Sequence, residues 1–231
     1  MIQTNENNIY LGWIDYWNLF PLKVEIEQQI KDSNISIVLE PNPRATNKKL
    51  LSGDYRVAPC SSILLNQENI NMAASVGVAC KGEVKSVFIG SKQDHPETIQ
   101  YIDFASKELC SLWGNRDSYD STDFNQLKKE LKQRLPDYER LALKPVIDYG
   151  NASSTSAMMA KVLTDLFWPK EQVESNHDQP KFELVIGNEA LARAEQYDTK
   201  IDLSQLWLQS FGLPFVFATF AAPLNLSLIH I

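Results

Sequence analysis

Apolar residues fall along this chain in short runs divided by stretches of helical spacing, the alternation expected of an α/β protein with largely parallel sheets. "IYLGWI" (9–14) predicts a buried strand. Pro21 then suits the first turn of a helix with Leu22, Ile26 and Ile30 on one face. "ISIVLE" (35–40) predicts a second strand, residues 42–53 a short helix ended by Gly53, and "YRVAPC" (55–60) a third strand. "SVGVAC" (75–80) and "VKSVFIG" (84–90) flank Lys81-Gly82-Glu83, so they pair as a hairpin or run on as a bent crossover.

Residues 93–143 break this rhythm, being polar, irregular and rich in charge. Within them Phe124, Leu127, Leu131 and Leu135 lie at helical spacing among basic residues, as in a surface helix that buries a thin stripe. The α/β pattern then resumes. "KPVIDY" (144–149) predicts a strand, and 153–168 a helix burying Met158, Val162, Leu163 and Leu166. A loop follows over 171–181, then "FELVIG" as a strand, "NEALARAEQY" as a helix and "LPFVFATF" (213–220) as a strand. From Leu203 to Ile231 there is no Asp, Glu, Lys or Arg. Interspersed Gln, Ser, Pro and Asn argue against a membrane span there and for a buried strand with uncharged loops.

Hydroxyl residues cluster where the helix after "KPVIDY" begins. Ser153, Ser154, Thr155 and Ser156 are more than a helix cap requires. They read either as a cap with polar neighbours or as a cradle for a carboxylate or phosphate. Small polar residues recur after other strands: Asn18 after the first, Ser61 and Ser62 after the third, and Ser86 within "VKSV". In open α/β sheets ligands bind beyond the carboxyl ends of strands, so together these positions describe a cleft lined with neutral donors. Taken singly, Ser86 also reads as a strand serine bonded to backbone, and Asn18 as a cap ahead of Pro21.

Bulk properties narrow the partners. At 231 residues the chain buries a full core as one large domain or two lobes. A net charge of −7 argues against nucleic acid or an anionic membrane as partner. "MIQTNENNIY" has no basic start and apolar run, so no secretory signal is read and a cytoplasmic location is expected. Cys60, Cys80 and Cys110 are odd in number and widely spaced, which suits reduced thiols. His95, His177 and His230 form no metal-ligand spacing, and no metal is expected.

Several segments carry a resemblance by their content and order. They are "LGWIDYWNLFPL" (11–22), "SGDYRVAPCSS" (52–62), "GEVKSVFIGS" (82–91), "ASSTSAMMAKVL" (152–163), "LVIGNEAL" (184–191) and "DLSQLWLQSFGLPFVFATF" (202–220). The chain resembles the menaquinone-biosynthesis family of the futalosine pathway, in its chorismate dehydratase branch. That resemblance implies a two-lobed fold like the type 2 periplasmic binding proteins, with a ligand cleft between α/β lobes. Lobe 1 would span 1–92, and lobe 2 93–211 with 93–143 as an inserted segment. Residues 212–231 would return to lobe 1 and be truncated, because family members continue with further helices.

The implied activity is a carbon–oxygen lyase: chorismate loses water to give 3-[(1-carboxyvinyl)oxy]benzoate without metal or organic cofactor. The cradle at 153–156 would hold one substrate carboxylate, with Ser61 and Ser62 binding substrate near the other lobe's end of the ligand. A substrate carboxylate would take the ring proton while Asn18 and Ser86 orient the departing hydroxyl. Asn188 stands where the family usually has an aspartate. The alternatives are a cytoplasmic binding protein for an aromatic or dicarboxylate ligand, and a related enzyme of the pathway. The sequence leaves the oligomeric state open.

Overall fold

Strand β1 (Ile9–Ile14) carries its neighbour β2 (Ile35–Glu40) in parallel, in register from Ile9↔Ile35 to Ile14↔Glu40. A parallel pair needs a crossover, here a 3-10 turn at Trp17–Leu19 followed by helix α1 (Phe20–Gln29), with Pro21 in its first turn. This is a computed structural model, and it describes residues 8–114, 124–135, 145–150, 152–168 and 181–224. The sequence-predicted loop over 171–180 and the segment after 224 lie outside them. The chain divides into two compact units. One holds the described residues of 1–79, 151–155 and 216–231, the other those of 80–150 and 156–215.

In the first unit, helix α2 (Pro43–Leu51) follows β2 and is capped by Asn42, whose Oδ1 accepts the Ala45 N–H at 2.9 Å. The predicted strand 55–60 is displaced: Val57 makes a single parallel bridge to Leu11, and β3 runs Ala58–Ser61. Gly12 permits this close approach, since a Cβ there would lie 2.4 Å from the Tyr55 ring. Strand β9 (Phe215–Pro223) sits between β3 and β4 (Ile70–Cys80), antiparallel to β3 from Ala58↔Ala221 to Ser61↔Ala218. Trp13, Ile14, Leu19 and Phe220 form one core cluster, against which the half-buried Leu22 and Ile26 of α1 lean. Leu50, Tyr55, Ala58, Cys60 and Ala221 lie in another.

The second unit is built on a four-stranded sheet. Its order is β6 (Val146–Asp148), β7 (Lys181–Ile186), β5 (Val87–Ser91), β8 (Thr199–Asp202). Since β4 and β5 lie in different sheets, residues 75–80 and 84–90 form no hairpin. β5 runs antiparallel to both β7 and β8, while β6 and β7 are parallel. The sheets are therefore mixed, not largely parallel. Alternation of strands and helices does not reveal a strand of opposite direction, such as β5 or β9, inserted between two others.

The largest departure concerns 93–143. Its described residues include the 19-residue helix α3 (Pro96–Gly114). Thr98, Tyr101, Ile102, Ala105, Ser106, Leu109 and Trp113 form its buried stripe. α4 (Phe124–Arg134) packs against it, with Leu127, Leu131 and Leu135 fully buried and Phe124 exposed. Helix α5 (Ser154–Phe167) buries Met159, Leu163 and Leu166 and leaves Met158 at 44% exposure, contrary to expectation. α6 (Gly187–Arg193) follows β7. The charge-free stretch begins as helix α7 (Leu203–Phe211), not as strand and loop, and ends at Gly212 in the left-handed conformation. No helix among the described residues is long and apolar enough to cross a membrane.

Candidate functional site

Ser61 ends β3 and is 2% exposed. Two hydrogen bonds to Asn47 of α2 fix it: Asn47 Nδ2 donates to Ser61 Oγ at 3.0 Å, and the Ser61 N–H donates to Asn47 Oδ1 at 3.1 Å. A buried amide paired this way has little freedom, because breaking it strands polar atoms away from water. The Ser61 oxygen thus accepts a hydrogen bond from Asn47 and keeps its own proton to donate.

Ser62 is used differently. Its hydroxyl donates to the Val216 carbonyl at 2.7 Å. Thr155 Oγ1, 3.4 Å from Ser62 Oγ, must then donate to it, and accepts the Ile63 N–H at 3.4 Å. The protons of Ser62 and Thr155 are committed within the first unit. The structure thus joins Ser62 and Thr155 directly, and adds Asn47, which sequence reading missed. Asn47 lies 14 residues from Ser61, a separation that no periodicity marks.

Around the same helix lies a buried charge. Glu40, at the carboxyl end of β2, is 6% exposed and accepts hydrogen bonds from Lys49 Nζ at 2.6 Å and from the Tyr55 hydroxyl. Burial pushes its carboxyl up, but the bonds from Lys49 and Tyr55 outweigh burial and leave it below the ordinary value. The Tyr55 hydroxyl is pushed up to about 12 by burial and by Glu40.

The other sequence-predicted positions belong to both units. Asn18 is exposed in the 3-10 turn after β1; Tyr16 caps that turn and Leu19 caps α1, so Asn18 caps neither. Ser153 and Ser156 are buried and Ser154 is exposed. Ser153, Ser154 and Thr155 belong to the first unit, Ser156 to the second. Ser86, also in the second unit, precedes β5 at a bend instead of lying within the strand. Its carbonyl accepts the Gly187 N–H at 2.7 Å. Its half-buried hydroxyl has no hydrogen-bond partner among the described residues.

The first unit also has a groove of about 380 Å³ lined by Leu22, Ile26, Val57, Ala73, Val76 and Phe220. It offers alkyl and aromatic surface rather than hydrogen-bond donors, and suits no carboxylate.

These polar positions fall inside a recognised sequence pattern. The family described as menaquinone biosynthesis matches residues 9–105 and 129–228. The chain belongs to the menaquinone-biosynthesis family. The family match passes through α3 as far as residue 105 and resumes within α4, so the unmatched stretch is 106–128, shorter than the 93–143 read as an insertion. No curated protein matches the chain.

Solved structures similar to this family member include a protein from Archaeoglobus fulgidus, 13% identical. That match has a TM-score of 0.48 and covers 97% of this chain and 71% of that one. The alkanesulfonate-binding protein SsuA from Xanthomonas axonopodis pv. citri, bound to MOPS, is 12% identical with a TM-score of 0.39, over 94% and 65% of the two chains. The effector-binding domain of QuiR, in complex with shikimate, is 12% identical with a TM-score of 0.45, over 95% and 88%.

Proposed function

We propose that the protein removes water from chorismate to give 3-[(1-carboxyvinyl)oxy]benzoate, as a carbon–oxygen lyase of the futalosine route to menaquinone. The observation that carries this reading is Ser86, whose backbone is anchored by the Gly187 N–H and whose hydroxyl is bonded to no described side chain, within a chain of the menaquinone-biosynthesis family. Such a group is available to an incoming oxygen without first breaking an internal bond.

The reaction asks little acid–base power of the protein. The ring carbon bearing the enolpyruvyl ether loses a proton, the adjacent carbon loses its hydroxyl, and the electron pair left on the ring completes the aromatic system. Proton and hydroxide leave together as water. Aromatisation drives the step, so holding the substrate correctly supplies much of the acceleration; good positioning is worth roughly 7–11 kcal/mol. In this reading Ser86 and Asn18 donate to the departing hydroxyl, and a substrate carboxylate takes the proton. Ser61, whose proton is free, and the 153–156 hydroxyls serve the carboxylates, each charge-assisted bond contributing about 1.5–3 kcal/mol. Ser62 and Thr155 join them by exchanging their bonds, to the Val216 carbonyl and to Ser62, for bonds to substrate.

The test is incubation of the folded protein with chorismate and mass analysis of products. A protein-dependent species lighter by one water is expected. Binding without turnover would replace the lyase with a binding protein for an aromatic dicarboxylate, and absence of both would remove chorismate as the ligand.

A further inference from the structure

Asp202 ends β8 and caps α7, its Oδ1 accepting the Gln205 N–H at 3.0 Å. Oδ2 does something that the cap does not require. It accepts two successive backbone N–H groups from a distant segment, Val84 at 3.0 Å and Lys85 at 2.7 Å. Lys85 has φ of 61°, the one positive φ at a non-glycine position among the described residues. A side chain in that region costs about 1–2 kcal/mol, and persists where its surroundings hold it. Two turned N–H groups converging on one oxygen are that hold.

The next residue is Ser86. Asp202 fixes the backbone just before it, and the Gly187 N–H fixes its own carbonyl. Starting β5 does not explain the clamp: the β5–β8 ladder already pairs Phe88 with Asp202. A turn needed only for shape is met without strain by glycine, as at Gly82 (φ 115°).

We propose that Asp202 is a positioning residue, whose carboxylate fixes the 84–86 turn and so holds the Ser86 hydroxyl toward the substrate oxygen that departs. The inference rests on the role given to Ser86 above.

Asp202→Ser separates the clamp from the cap. Serine caps a helix well but is too short to reach residues 84 and 85. The variant is expected to stay folded by circular dichroism and keep the KM for chorismate while kcat falls about 10–100-fold, the scale of a slight misplacement of a reacting group. Adding Lys85→Gly should recover much of that kcat, because glycine holds the turn unaided. A role confined to the helix cap would not be rescued from position 85.

Lys85→Val tests the same idea with Asp202 and the α7 cap intact. A β-branched residue resists positive φ at this exposed position, so kcat should again fall. Wild-type kcat in both D202S and K85V overturns the inference alone, as does a D202S loss that K85G leaves unrepaired. Failure of the wild-type protein to turn over chorismate overturns the role of Ser86 and this inference together.

Discussion

The two hydroxyl sites are built on opposite principles. In the first unit side chains are spent on the scaffold: Asn47 grips Ser61, Ser62 donates to the Val216 carbonyl, and Thr155 bridges Ser62 and the Ile63 N–H. Around Ser86 in the second unit the scaffold is fixed by backbone bonds to Asp202 and Gly187, and the side chain is left unbonded. A hydroxyl that holds structure resists replacement for reasons of stability. One held by structure should be dispensable to the fold and costly to the reaction.

Ser86→Ala gives the sharpest test. Turnover of chorismate should fall about 100-fold, while urea denaturation leaves the midpoint unmoved; a lowered midpoint with normal turnover would reverse the contrast. Asn47→Ala follows. It leaves the buried Ser61 N–H without its acceptor and should cost about 1–3 kcal/mol, read as a shifted midpoint at constant slope. Ser62→Ala forfeits the bond to the Val216 carbonyl and the longer one from Thr155, and should cost about 1 kcal/mol. Its effect on catalysis should appear as a raised KM with kcat little changed, and a fall in kcat as deep as that of S86A would dissolve the distinction.

The smallest expected effect is electrostatic. Glu40 is held below the ordinary carboxylate value, so its contribution is complete at neutral pH and is lost as pH falls through that lowered value. Asp202 is raised, chiefly by burial, with its three backbone donors offsetting only part and Glu83 adding to the rise. Its ionisation penalises the fold, and the penalty sets in as pH climbs from the ordinary value through the raised one. Acid should therefore weaken the first unit while relieving the second. Acid titration of Glu40→Gln by circular dichroism should show a shallower loss than wild type, whereas D202S should show none of that protection.

Much of the scaffold was legible because its signals are local. β1, β2, α1 and α2 follow from short apolar runs, Pro21 and the Asn42-Pro43 start, each acting within one turn or strand. α3 was not legible as a helix because its buried stripe mixes Thr98, Ala105 and Ser106 with the large apolar residues, and small polar side chains in a core look like surface. Strand direction was hidden for a different reason: it depends on which strand is inserted between which, as β5 is between β7 and β8. At the candidate site, Ser86 and the serine pair stood out through the family's motifs. Asp202 and Asn47 did not, since their partners are set by the fold. An aspartate ahead of "LSQLWL" signals a helix cap, but nothing in it announces a second task for the other oxygen.

Cys60 offers a further use of the first unit's packing. It is fully buried in the cluster around Leu50 and Tyr55, and burial pushes its thiol up to about 12, whereas Cys80 and Cys110 are partly accessible. Thiolate is the species that reacts with alkylating reagents, so Cys60 should label only when its surroundings open. With the other two cysteines replaced by serine, the labelling rate becomes a clock for opening of the first unit, readable in native buffer with no ligand, denaturant or fluorophore.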